Sequence, residues 1–512
     1  MNVTSLMRQA AQLYAENPAV IFGNKTLTFS EAWERGVRLA NALRKLGLNP
    51  GDRVGVLEDN CLESSDIFQG SAIANLVRVP LYARNSKTAH LHMLKYTGCR
   101  ALIVSKKFEK DVADLKSECT SLEYVIVRDE SYEEWLSSFS PAEEKLTISA
   151  DDAFIIRHTG GTTGKPKGVM SSHKAWLACC RDWFYIFPQV NPGDKCLHVA
   201  SIAHGSGYQY LPIWLAGGCN VLMDHFDANE VMETLEKQQI AFTLLPPPML
   251  SSIIHSSGGK EWSFSKLKCI LTGTAPISDA TLNRSREIFG DVFYQGYGAT
   301  ECPTVAFMGP DQWFSEVPGS TPMRACGMPL PFVRVEIWDE DNNSLPIGSI
   351  GEIVAKADGQ LSGFWDNADE TAKRMVNGWI KLGDIGRLDD NGYLYLLDRK
   401  DDVIISGGFN IWPTEIENVI ASLEDVVEVS VFGVPHEKWG ETPVAVCCVK
   451  NEEKITEDDV RNIVSQQLGS YKKPSQVIIQ TEPLPKTAVG KIQRRALREK
   501  FWIGMERSIA GA

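Results

Sequence analysis

Apolar positions follow two rhythms that alternate along most of the chain. Short apolar runs at 53–57, 77–81, 101–104 and 124–127 read as buried strands, and the stretches 62–76, 87–96 and 108–117 between them as helices. The alternation resumes with strands at 153–156, 196–200, 218–223, 241–245 and 268–272, and with helices over 172–186, 229–238 and from about 278. Nearer the start, 19–22 and 26–29 flank Gly23-Asn24-Lys25, a hairpin signal. A helix follows from Ser30, with Val37, Leu39, Ala40, Leu43 and Leu46 favouring one face and Gly47 placed to cap it. Alternation of this kind predicts a layered α/β core whose ligands bind at strand ends.

From about Gly327 the texture changes. Short segments at 333–338, 351–355, 379–382 and 393–397 with frequent turns predict a small β-rich subdomain. The charged run Asp398-Arg399-Lys400-Asp401-Asp402 then precedes helices at 415–420 and 456–468 and strands at 427–434, 444–449 and 476–479. The expected fold class is α/β. A large N-terminal domain, 1–400, combines the layered α/β core with the β-rich subdomain, and a small α+β domain occupies 401–512.

Composition narrows the field. At 512 residues the chain is too long for one ordinary core, and 43% hydrophobic with 23% charged residues is globular and soluble in type. A net charge of −13 argues against nucleic acid as a general partner, so anionic ligands must be held by loops and single lysines. No apolar run approaches the roughly 20 residues of a membrane span, and residues 1–8 lack a signal-peptide layout. The twelve cysteines include two adjacent pairs and no C-x-x-C spacing. They read as reduced core thiols of a cytoplasmic protein, with neither a zinc site nor a disulfide frame.

The strongest local signal is Thr159-Gly160-Gly161-Thr162-Thr163-Gly164-Lys165-Pro166-Lys167-Gly168, directly after the 153–156 strand. Four glycines and three threonines in ten residues make a poor helix or strand interior. Their exposed N–H groups, hydroxyls and two lysines suit a polyphosphate cradle. It is not a Walker A loop, because Pro166 follows Lys165 where that motif needs Ser or Thr. Taken alone, the stretch reads equally as the tip of a surface hairpin.

Several further stretches, in this order, carry a resemblance: Gly273-Thr274-Ala275-Pro276, Gly296-Tyr297-Gly298-Ala299-Thr300-Glu301, Trp379-Ile380-Lys381-Leu382-Gly383-Asp384, Gly407-Gly408-Phe409 and Pro485-Lys486-Thr487-Ala488-Val489-Gly490-Lys491. With the glycine-rich stretch they resemble the acyl-adenylate-forming superfamily of acyl-CoA synthetases, nonribosomal-peptide adenylation domains and luciferases, over nearly the whole chain. His158 stands where that family usually has an aromatic residue, Gly160 where it has serine, and Thr274 where it has glycine. Weaker ATP binding is expected from Gly160.

The resemblance implies roles. Thr159, Gly160, Gly161, Thr162, Thr163, Gly164 and Lys167 would hold phosphate, and Gly273, Thr274 and Ala275 would border the adenine and the acyl chain. Tyr297 would pack on the adenine beside Gly298, Thr300 would hydrogen-bond the α-phosphate, and Glu301 would hold Mg2+, which favours hard oxygen ligands. Asp384 would accept from the ribose hydroxyls with help from Arg399. Asp401 would be the hinge of the small domain, and Gly407, Gly408 and Phe409 would line a pantetheine tunnel. Lys491 would bridge the substrate carboxylate and the α-phosphate, two anions that repel each other.

Ser201-Ile202-Ala203-His204-Gly205-Ser206-Gly207 resembles the family's acyl-site motif, placing His204 near the carboxylate; a satisfied core or loop histidine is the plainer reading. Ala203 replaces a common aromatic residue and widens the expected pocket, for which Trp183, Phe184, Tyr208 and Val305 are candidate lining residues. No acid is placed to pair with an amino-acid ammonium. The implied reactants are a fatty, cyclic or aromatic carboxylic acid, ATP with Mg2+, and coenzyme A, and the resemblance admits a homodimer. Loading of a carrier protein, or a non-catalytic ligand-binding role, are the alternatives.

Overall fold

The computed structural model describes residues 1–159, 166–256, 261–273, 275, 277–487 and 491–503. By contacts the chain divides into two compact units. The first comprises Met1–Ile277, Thr281–Val335 and Ala355–Ile380, and the second Ser278–Ala280, Glu336–Val354 and Lys381–Ala512.

The first unit holds two large sheets. One has seven strands in the order Gly363–Phe364, Lys167–Ser172, Ala153–Thr159, Val77–Tyr82, Arg53–Glu58, Ala101–Ser105, Tyr124–Arg128. Its centre is parallel, as the apolar runs require when helices cover both faces. The other has nine, running Met328–Pro329, Cys302–Met308, Phe293–Ala299, Cys269–Gly273, Ile240–Leu244, Lys195–His198, Cys219–Leu222, Pro18–Phe22, Lys25–Thr28. A core cluster joins helices Val3–Leu13, Phe29–Lys45, Ser64–Ile73, His173–Ile186 and Gly207–Leu215 through Met7, Phe29, Phe68, Trp176, Tyr210 and Trp214. Caps set the entry points: Thr28 and Glu31 form a capping box, and Ser172 Oγ accepts from Ala175 N at 3.2 Å.

The second unit contains a mixed sheet in which Gly440–Val449 pairs antiparallel with Val426–His436 and parallel with Gln476–Gln480. Helices Pro413–Ile420 and Glu457–Leu468 share its core through Ile416, Ile420, Val460 and Val464.

Four sequence expectations are revised. The 153–156 strand runs to Thr159 and pairs antiparallel with an unforeseen strand, Lys167–Ser172, so the glycine-rich stretch connects a hairpin. After the 241–245 strand a helix absent from the sequence reading, Pro247–Ser256, opens on prolines, where a missing N–H costs nothing. The 108–117 helix is a 3₁₀ turn followed by two single turns, Glu109–Val112 and Leu115–Glu118. The amino terminus forms a helix, Val3–Leu13, capped by Asn2. All twelve cysteines are free, and all but Cys61 are buried. Among the described residues no helix is long and apolar enough to cross a membrane.

Candidate active site

In the first unit the motif residues gather where strands end. Thr159 ends one strand opposite Lys167, while Gly160, Gly161, Thr162, Thr163, Gly164 and Lys165 lie outside the described residues. Lys167 Nζ sits 2.6 Å from Glu370 Oε1, in the first turn of helix Ala368–Arg374. Thr300 and Glu301 form the turn between antiparallel strands Phe293–Ala299 and Cys302–Met308, rather than a helix start. Glu301 is 9% exposed, its carbonyl accepts from Leu361 N at 2.7 Å, and its carboxylate lies 3.7 Å from Arg374 Nη2.

Gly273 and Gly296 are register partners on parallel strands, and Gly273 has φ +152°. A Cβ at Gly273 would stand 2.4 Å from the Gly296 carbonyl oxygen, so the motif's first glycine is needed for backbone contact. Thr274 falls outside the described residues; Ala275 is half-buried, Tyr297 is buried, and Gly298 has the Pro303 carbonyl 2.1 Å from its Cβ position.

His204 is half-buried, with its ring edge-on to Tyr82 at 5.4 Å between centroids. The Tyr82 hydroxyl in turn donates to the His158 carbonyl at 3.1 Å, linking this loop to the Ala153–Thr159 strand. One residue that sequence reasoning missed holds the His204 loop. Buried Asn60 donates through Nδ2 to the carbonyls of His198 (3.0 Å), Ala200 (3.2 Å) and Met223 (3.0 Å), and its Oδ1 accepts from Ile202 N at 2.9 Å. His198 completes the support, with Nδ1 2.7 Å from Ser206 Oγ and Nε2 2.8 Å from Asn220 Oδ1.

Beyond the loop, helix Gly207–Leu215 borders a cavity of about 340 Å³ lined by Trp183, Phe184, Phe187, Gln209, Ile213 and Phe242, among others, with no charged residue in its wall. Two of the four candidate lining residues, Trp183 and Phe184, are there; Tyr208 and Val305 pack elsewhere.

In the second unit, Asp384 and Arg399 are direct partners on antiparallel strands. Arg399 Nη1 lies 2.9 Å from Asp384 Oδ1, and Asp384 is 1% exposed. Lys491 belongs to the same cluster although 107 residues separate it from Asp384 in sequence. Surrounding protein, then the Arg399 guanidinium, lower its pKa, and the Asp384 carboxylate opposes them. The hinge candidate Asp401 sits in a 3₁₀ turn, Lys400–Asp402. Arg494, also missed from sequence, clamps the flanking residues: Nη1 reaches Asp398 at 3.1 Å and Asp402 at 2.8 Å, while Nη2 reaches Glu417 at 2.9 Å. Gly407 and Gly408, with φ of 58° and 85°, turn the hairpin between Ile404–Ser406 and Phe409–Ile411, and Phe409 is exposed.

The Glu301 carboxylate offers one hard oxygen ligand, for which Arg374 competes, so it fits only a metal carried mainly by phosphate oxygens; no group of three or more metal-ligating side chains occurs among the described residues.

The profile of the AMP-binding enzyme family matches residues 7–365, and that of the AMP-binding enzyme C-terminal domain matches 415–491. The fatty acid–[acyl-carrier-protein] ligase ScoC of Streptomyces coeruleorubidus is 31% identical over 96% of this chain and 95% of its own length. A 2-succinylbenzoate–CoA ligase of Listeria monocytogenes is 31% identical over 97% of this chain and 99% of its own. The crystal structure of ATP-bound MatB from Rhodopseudomonas palustris superposes with a TM-score of 0.88 at 26% identity, covering 98% of this chain and 99% of that one. Fold, motif order and both profiles agree: the chain belongs to the AMP-binding enzymes of the acyl-adenylate-forming superfamily.

Proposed function

We propose that this protein is an AMP-forming acid–CoA ligase for an apolar carboxylic acid without an α-amino group. The observation that most supports this reading is the Asp384–Arg399 pair, a buried carboxylate 2.9 Å from a guanidinium, with Lys491 close enough for both charges to act on its ammonium. In the first half-reaction a substrate carboxylate oxygen bonds to the α-phosphorus of ATP, the bond to the bridging oxygen breaks, and pyrophosphate leaves. Lys491 offsets repulsion between the two anions, and Asp384 fixes the ribose. Glu301 would hold magnesium, which supplies charge neutralisation on the phosphates. Lys167, Thr300 and the amides of the glycine-rich stretch position the phosphates, and His204 orients the carboxylate.

The acid's chain or ring occupies the aromatic cavity, which lies within two helical turns of Gly207. Its uncharged wall disfavours an ammonium group. In the second half-reaction the small domain, 401–512, rotates about Asp401 and Lys491 withdraws. The thiolate attacks the acyl carbonyl past Gly407 and Gly408, releasing AMP. Transfer to a carrier-protein thiol is the second reading, favoured by the ScoC relative, whose name specifies that acceptor. Mass spectrometry of products from apolar acids, ATP and magnesium, with either coenzyme A or a phosphopantetheinylated carrier, separates the two. Thioester on coenzyme A supports the first reading, and thioester on the carrier alone replaces it with the second.

A further inference from the structure

Two arginines of the first unit are buried with no acid to meet them. Arg78, in strand Val77–Tyr82, and Arg157, in strand Ala153–Thr159, are each 3% exposed. The strands are parallel neighbours with Arg78 opposite Ile155. Arg157, two residues further on, therefore projects from the same face, about 8 Å away on the diagonal.

Both guanidinium groups lie against aromatic rings rather than carboxylates. Arg78 Cζ is 3.4 Å from the Phe68 centroid, and Arg157 Cζ is 3.9 Å from Tyr208 and 4.8 Å from Trp176. Nε and Nη2 of both arginines have no hydrogen-bond partner among the described residues. Gln69 is fully buried beside Tyr210, its side chain facing that hydroxyl. The buried acid nearby, Asp66, is already engaged by Arg35 at 2.8 Å and by the Tyr132 hydroxyl at 3.0 Å. Residues 160–165, which continue the chain from the Arg157 strand, contain no acid.

A guanidinium cannot shed its proton under these conditions. Burial and the neighbouring Arg157 both work against the charge on Arg78. Cation–π contact returns only part of what desolvating two like charges costs. Four unsatisfied N–H-bearing nitrogens on one sheet face make a receptor for negative charge.

We propose that Arg78, Arg157 and Gln69 form an internal site for one small anionic group of halide or carboxylate size. The site lies behind the turn that carries His204. A Cβ at Gly207 would stand 3.1 Å from Arg157 Nη2, so the guanidinium rests on the turn that carries His204, while its own strand leads into the glycine-rich stretch. Occupancy therefore stiffens the turn that carries His204. The charge has two sources: a halide from solution, or a second carboxylate on the acid.

Thermal unfolding of the whole protein, with chloride or bromide exchanged for a bulky sulfonate at constant ionic strength, reads the halide arm. The expected result is a Tm several degrees higher in halide, lost in Arg157→Met, together with a bromide anomalous peak between the two guanidinium groups. Linear dicarboxylic and monocarboxylic acids of equal length, added in sulfonate buffer, read the substrate arm: stabilisation by the dicarboxylic acids alone assigns the site to substrate. No halide shift, no bromide peak and no difference between the two acid series would overturn the proposal. The bromide map needs only the wild-type protein, so it decides even where Arg157→Met fails to fold. None of these readouts requires turnover, and their failure leaves the ligase reading standing.

Discussion

The candidate sites of the two units are built by opposite means. In the first, the candidate site is mostly backbone: Gly273 against Gly296, Gly298 against Pro303, and a loop fastened by Asn60 through carbonyls and one amide. In the second it is made of ionised side chains on a ladder, Asp384 and Arg399, with Lys491 beside them and Arg494 bracing the hinge run. A backbone site fails when atoms are added, because close contact is its working distance. A side-chain site fails when charge is removed. The units differ in acid sensitivity too, since eight of the nine histidines fall in the first unit and only His436 in the second.

That last contrast gives the largest expected effect. Burial pushes the pKa of His158 down to about 3 and those of His173 and His198 to about 4. Unfolded histidine titrates near 6.5, so below that pH the unfolded chain binds protons that the folded unit refuses. Stability is full above about pH 6.5 and falls on acidification by about 1.4 kcal/mol per histidine per pH unit. Urea titrations at pH 7 and pH 5, followed by unit-specific hydrogen exchange, should show the first unit opening first at the lower pH. Equal losses in both units would erase the contrast.

Charge removal comes next. Lys491→Ala should lower pyrophosphate release by about 10²–10³-fold while leaving thioester formation from supplied acyl-AMP largely intact. Adding one carbon to the other site should weaken folding as well as binding. Gly273→Ala forces a Cβ to 2.4 Å from a carbonyl oxygen at a φ that side chains resist. A loss of about 1–3 kcal/mol in denaturant unfolding is expected, with poorer ATP binding by calorimetry. The smallest effect concerns pH. If Lys491 acts as proposed, adenylation needs its protonated form, and the rate should fall as pH rises through a pKa held below the ordinary lysine value by the surrounding protein and Arg399. Asp384→Asn removes the opposing carboxylate, and the falling limb should move to lower pH, with the KM for ATP rising about tenfold. An unmoved limb would detach Lys491 from this cluster.

Strand–helix alternation made the layered fold legible, because buried parallel strands are continuous apolar runs. The Lys167–Ser172 strand escaped notice because Lys-Gly-Val-Met-Ser-Ser has neither that run nor a clean alternation. Motif residues were legible because their types recur at fixed short spacing. Asn60 and Arg494 were not, since their partners lie 138 and 77 residues away and no local pattern encodes such contacts. Arg78 was concealed by its setting: one arginine inside a short apolar run gives no sign that its charge is buried unpaired, yet helices cover both faces of this sheet.

ATP–pyrophosphate exchange with magnesium and a panel of fatty, cyclic, aromatic and α-amino acids puts the adenylating role to its most direct trial. Exchange that depends on an acid lacking an amino group, and that collapses in Lys491→Ala, is the expected result. Absence of exchange with every acid, or exchange undiminished without Lys491, would contradict it.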